Sequence, residues 1–180
     1  MALTEPASAE PPEILSLIRL WAERAEGQDV RSIRELIVRD FGEPDGEVTF
    51  EVNIHSWKPE RYAEPHVMLR GSVDRDTGRI VKMSAHGSTY GSPFTKEKIA
   101  LLRPYAETMI GALDMSLTRE ECGAILDELK FSEDDLSALE ESLKGSTPET
   151  ERNGVRYSLR HWGSEEGGTV EVVVTRTSPE

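Results

Sequence analysis

Apolar and polar positions in this 180-residue chain follow two different periods. In EILSLIRLWAERAE, residues 13–26, Ile14, Leu17, Ile18, Trp21 and Ala22 recur at helical spacing, and Gly27 ends the run. Asp29 is a suitable N-cap for a second helix, VRSIRELIVRDF. There Val30, Ile33, Ile37 and Phe41 recur at helical intervals, Leu36 widens the stripe, and Gly42 and Pro44 stop it. The period then drops to two. Val48, Phe50, Val52 and Ile54 alternate with Glu47, Thr49, Glu51 and Asn53, which predicts a strand with one buried face. HVMLRGSVD and RIVKMSAHG predict two more strands, giving an antiparallel meander of three.

The helical period returns in FTKEKIALLRPYAETMIGALDM, where Pro104 predicts a break or kink. Thr118 and Glu121 form a capping-box pattern that opens REECGAILDELK. Ser132 and Asp135 suggest a further cap before EDDLSALEESLK, which Gly145 ends. NGVRYSLRHW and TVEVVVTR predict a final strand pair joined by GSEEGG. The expected fold is α+β, with antiparallel sheet and packed helices in the order helices, strands, helices, strands. The expected organisation is a disordered tail over 1–12, then a helix pair with a three-stranded meander over 13–92. Helices with a C-terminal β-hairpin fill 93–180, all within one continuous globular unit.

A duplication is a further expectation. Asp29, Val30, Ile33 and Ile37 lie over Asp135, Leu136, Leu139 and Leu143. With a one-residue adjustment, Phe50, Val52, Ile54 and Trp57 lie over Val155, Tyr157, Leu159 and Trp162.

The phrase VDRDTGRIV, Val73 to Val81, has the look of a calcium loop. Counting from Asp74, however, its Gly falls one place early, the acid required at the twelfth position is Ala85, and Arg75 and Arg79 flank the site. A turn accounts for every residue: Asp74 opens it and Gly78 supplies positive φ. A strand ending in Val-Asp, then x-x-Thr-Gly, then an apolar strand resembles the hairpin of PepSY-type modules, over residues 67–86. The resemblance implies a binding or inhibitory module and carries over no functional residues.

Composition narrows the function classes. Apolar residues make up 37% and charged residues 31%, enough for a core. The net charge of −13 disfavours a nucleic-acid surface, which needs clustered positive charge. From Asp114 to Glu151 there are 12 acids and 3 bases, a net of −9. Glu133, Asp134, Asp135, Glu140 and Glu141 in that stretch are candidates for contact with a basic protein partner. Arg156, Arg160 and Trp162 share one face of their strand and suit a protein interface. The first residues, MALTEPASAEPPE, lack the basic and apolar regions of a signal peptide, and one cysteine cannot form an internal disulfide. Cytoplasm is the expected compartment, with no membrane association. The bias of 15 Arg to 6 Lys suggests a GC-rich, bacterial genome.

Complete catalytic sets are lacking. HGSTYGSP, residues 86–93, imitates a nucleophile elbow with Thr89 in place of the Ser, but the parallel sheet that motif needs is not predicted. Cys122 sits in a first helical turn beside Glu120 and Glu121, which oppose thiolate formation. His66 and His86 could face each other across the hairpin, with His55 on the neighbouring strand. Three such ligands could hold zinc, although no local spacing supports a metal, and neither metal nor cofactor is assigned. The expected function is a non-catalytic protein-binding module, in concrete form a bacterial inhibitor or immunity-type protein with an acidic surface. Its alternatives are a small-ligand or metal-binding protein at the histidine rim, and a structural or scaffold protein.

Overall fold

A computed structural model describes residues 10–40, 48–54, 66–88, 95–134, 137, 147–164 and 167–176. One short 3-10 turn, Ile14–Ser16, leads into helix α1, Leu17–Ala25. Strands β1 (Ile33–Arg39), β2 (Val48–Ile54), β3 (His66–Val73) and β4 (Ile80–Ser88) follow as a meander. Helices α2 (Lys96–Leu113) and α3 (Arg119–Glu128) come next, then β5 (Glu149–Arg152), β6 (Val155–Ser164) and β7 (Gly167–Arg176). All seven strands form one antiparallel sheet in the order β1-β2-β3-β4-β7-β6-β5.

The expected order of helices, strands, helices and strands does not hold. Strand outweighs helix, and the body of the chain runs strands, helices, strands after a single short helix. The meander has four strands instead of three, because the second expected helix is β1. A bulge explains the misleading spacing. The β1–β2 register shifts between Ile33 and Glu35, so Ile33, Leu36 and Val38 lie opposite Ile54, Val52 and Phe50. One extra residue turns an alternating pattern into a three-residue step that imitates a helix. The duplication falls with it, since the overlay set strand residues 33 and 37 on an expected helix. Among the described residues the two halves also carry four and three strands.

One face of the sheet builds the core. Leu69, Met83, Ala85, Val172, Val174, Tyr157 and Leu159 point into the same buried cluster as Trp21, Leu102, Met109 and Ile125. Trp21 donates from Nε1 to the Arg31 carbonyl at 3.0 Å and packs against Tyr105, whose hydroxyl accepts from the Arg31 N–H. Helix α2 runs through Pro104 without ending. Leu102, Tyr105, Ala106, Met109 and Ile110 are buried on either side of the proline, and that packing holds the helix together. The capping box at the start of α3 forms in full, with Thr118 Oγ1 accepting from Glu121 N–H and Glu121 returning the bond.

The VDRDTGRIV phrase closes the β3–β4 hairpin. Asp74 Oδ1 accepts from the Thr77 N–H at 2.8 Å and hydroxyl at 2.7 Å, and Gly78 has φ of 68°. The Thr77 side-chain bond, then its backbone bond, hold the Asp74 carboxyl below its ordinary value, so that oxygen is occupied within the turn. A bulge lets Val73 face Ile80 while Leu69 faces Ala85, keeping apolar opposite apolar. The chain before α1 adds to this end, since Ile80 N–H donates to Pro12 and Ile14 N–H to Gly78. Pro12, placed in the expected loose tail, is thus tied to the hairpin.

Candidate functional site

The second face of the sheet has a different composition. No described helix covers it, and its residues are mostly polar. β3 contributes Arg70 and Ser72, β4 Lys82, Ser84 and His86, β7 Glu171, and β6 Arg156, Arg160 and Trp162. The last three share this face as the alternation predicted. A concavity of about 360 Å³ opens at its centre, lined by Thr49, Glu51, Arg70, Ser72, Lys82, Ser84, Arg160 and Glu171, with Phe50 and Gly71 beneath.

A buried polar cluster forms one wall. His86 Nε2 lies 2.9 Å from Glu171 Oε1, 2.9 Å from Ser84 Oγ and 2.8 Å from Arg70 Nε. Ser84, His86 and Glu171 are all buried, while Arg70 reaches outward. Trp162 sets its indole edge-on to the imidazole, at 6.2 Å and 82°. Burial alone would raise the Glu171 carboxyl. The His86 hydrogen bond and charge, the Ser84 hydroxyl and the Arg70 charge outweigh burial and hold it below its ordinary value.

A serine, a histidine and a glutamate together suggest acyl transfer, but their geometry does not fit it. That relay needs the hydroxyl on one ring nitrogen and the acid on the other, so that a proton passes across the ring. Here hydroxyl, carboxylate and guanidinium all meet at Nε2. A protonated Nε2 donates to Glu171, and a bare one accepts from Arg70; it cannot do both. The cluster shapes a wall and fixes charges instead of activating a nucleophile.

Across the concavity, Ser72 Oγ is buried and makes no hydrogen bond. A hydroxyl in that condition costs roughly 1–3 kcal/mol. Lys82 lies directly opposite Ser72 in the β-ladder, and Arg160 directly opposite Glu171. Both carboxylates of the lining are already engaged, Glu51 with Arg39 at 3.2 Å and Glu171 with His86.

Comparison with family models, curated proteins and solved structures finds no match for this chain. The site must therefore be read from its own chemistry.

The histidine rim does not assemble as expected. The register sets His66 opposite Ser88 and His86 opposite Met68, so the two do not face each other, and His55 lies outside the described residues. Among the described residues no group of three or more His, Cys, Asp or Glu is arranged to hold a metal ion. The elbow-like loop lies outside them from residue 89 to 94.

Some of the acids between Asp114 and Glu151 make contacts within the fold, and of Asp114, Glu121, Asp127 and Glu128 only the first is buried. Asp114 is buried and accepts from Ser116, Glu121 caps α3, Asp127 pairs with Arg103 at 2.8 Å, and Glu128 pairs with Arg152 and Thr150. Glu133 and Asp134 are exposed, while Asp135, Glu140 and Glu141 lie outside the described residues. Cys122 is buried, and burial pushes its thiol up to about 11. At neutral pH a thiol reagent will therefore label Cys122 only after unfolding. Labelling of native protein at the rate of a free thiol would contradict this burial.

The site could be read only in part from the sequence. The alternation in VRYSLRHW gave Arg156, Arg160 and Trp162, but Arg70, Ser72, Lys82, Ser84 and Glu171 were missed. One signal was present: Glu171 is the one acid in the run TVEVVVTR, the strand that pairs with β4 at the middle of the sheet. A lone acid there implies a partner within the fold.

Proposed function

We propose that this protein is a non-catalytic protein-binding module whose partner docks on the uncovered face of the sheet and presents an acidic segment to it. An inhibitor or immunity-type protein of a bacterium is the concrete form of such a module. The observation that carries this reading is the concavity on that face lined by Arg70, Lys82 and Arg160, with Trp162 exposed two residues along from Arg160 on the same strand. Trp162 is 44% exposed, and exposed Trp and Arg are the residue types that dominate binding energy at interfaces. Arg70, Lys82 and Arg160 at the concavity, beside two acids that are already engaged, favour an acidic partner segment there. The resemblance of the hairpin to PepSY-type modules supports binding over catalysis. An acidic surface offered to a basic partner has less support, because Asp114, Glu121, Asp127 and Glu128 already serve the fold.

The test compares two variants for affinity toward a partner isolated from the native host. Trp162→Ala with Arg160→Ala should weaken binding by about thirtyfold or more, the effect of one strong interface anchor. Neutralising Glu133, Asp134 and Asp135 together should leave affinity within about twofold, as expected for residues outside an interface. The reverse pattern would replace the sheet face with the acidic surface.

A further inference from the structure

We propose that the concavity at Ser72, Lys82 and Arg160 is a carboxylate-binding pocket. On the reading above, its occupant is an aspartate or glutamate side chain of the protein partner. Three independent features converge on this spot. The first is the Ser72 hydroxyl, which is 2% exposed, lines the concavity and has no hydrogen-bond partner. An oxyanion seated there would give it the acceptor it lacks. The second is unspent positive charge. Neither Lys82 nor Arg160 makes an ion pair or hydrogen bond with a described residue, and Arg70 commits only its Nε, to His86. The third is that both acids in the lining are occupied, by Arg39 and by His86, so they do not close the pocket on its cations. Ser72 and Lys82 are cross-strand partners, so the ladder roots their side chains next to each other.

The lining also chooses among anions. Glu51 and Glu171 stand beside the cations, and the whole chain carries −13. Both repel a doubly charged phosphate more than a singly charged carboxylate. A planar carboxylate also matches the guanidinium of Arg160. Nucleic acid, a chain of phosphates, is disfavoured for the same reason.

The pocket can be tested without the partner. Sodium acetate is titrated into the isotope-labelled full chain, with sodium chloride at equal ionic strength and inorganic phosphate as the other arms. The Arg160 Nε–H and Ser72 amide resonances should shift saturably with acetate and not with chloride. Ser72→Ala, which removes a buried unpartnered hydroxyl and so keeps the fold, should weaken acetate by about tenfold. Lys82→Met should weaken it at least as much. Acetate shifts no larger than those of chloride, or unchanged in both variants, would overturn the pocket. Tighter binding of phosphate than of acetate would overturn the carboxylate assignment. Because acetate needs no partner, its failure leaves the docking face standing if partner affinity still falls with Trp162→Ala and Arg160→Ala. Saturable acetate binding with no effect of those substitutions would retain the pocket and remove the docking face.

Discussion

Gly71→Ala will lower the melting temperature by about 6–12 °C, the shift that about 3 kcal/mol produces in a protein of this size. A Cβ at Gly71 falls onto the Lys82 backbone carbonyl oxygen and within 2.7 Å of the Phe50 ring. Phe50 is fully buried, and the carbonyl belongs to the neighbouring strand of the hairpin beside its bulge. Neither obstacle is the free end of a flexible side chain, so relief requires moving backbone. Gly78→Ala is the natural control. Gly78 has positive φ but open space around it, so its replacement costs only about 1 kcal/mol of backbone strain. A Gly71→Ala protein as stable as its parent would mean that β3 and β4 are not paired in this bulged register.

Glu171→Leu should destabilise the protein by about 3 kcal/mol at neutral pH, the scale of breaking a buried charged contact. The loss comes from what remains: His86 stays buried without its carboxylate, and Arg70 loses a nearby negative charge. His86→Leu combined with Glu171→Leu should recover much of it, because an apolar pair of similar size leaves no buried charge. The pH dependence follows from the carboxyl itself. Its folded value lies below the ordinary 4.5, so the folded state binds the proton less readily than the unfolded chain. The stability it contributes is complete above 4.5 and is lost as pH falls through the folded value. Urea titrations across that range should show a shallower acid decline for Glu171→Leu than for the parent. An equally steep decline in both would remove Glu171 from the account of acid stability.

The legible parts of the fold were those whose signals are local. Asp74 and Gly78 specified a hairpin because the turn chemistry lies within five residues. Thr118 and Glu121 announced a helix start for the same reason. Strand β1 was misread because a bulge, visible only against its partner strand, shifted the alternation. The centre of the site was illegible for a related reason. His86 and Glu171 meet because β4 and β7, each the last strand of its meander, pair at the middle of the sheet. No periodicity in either segment encodes that adjacency. Acid counts are blunt in another way, since caps and ion pairs engage acids such as Glu121, Asp127 and Glu128 even where they stay exposed.

The position of the partner on the molecule is the most direct test. A photoreactive benzophenone side chain is introduced at Met68, exposed on the uncovered sheet face, or at Glu120, exposed on helix α3, and irradiated with the partner bound. A covalent product is expected from position 68 and none from position 120. A product from position 120 alone would place the partner on the helical side and contradict docking on the sheet face.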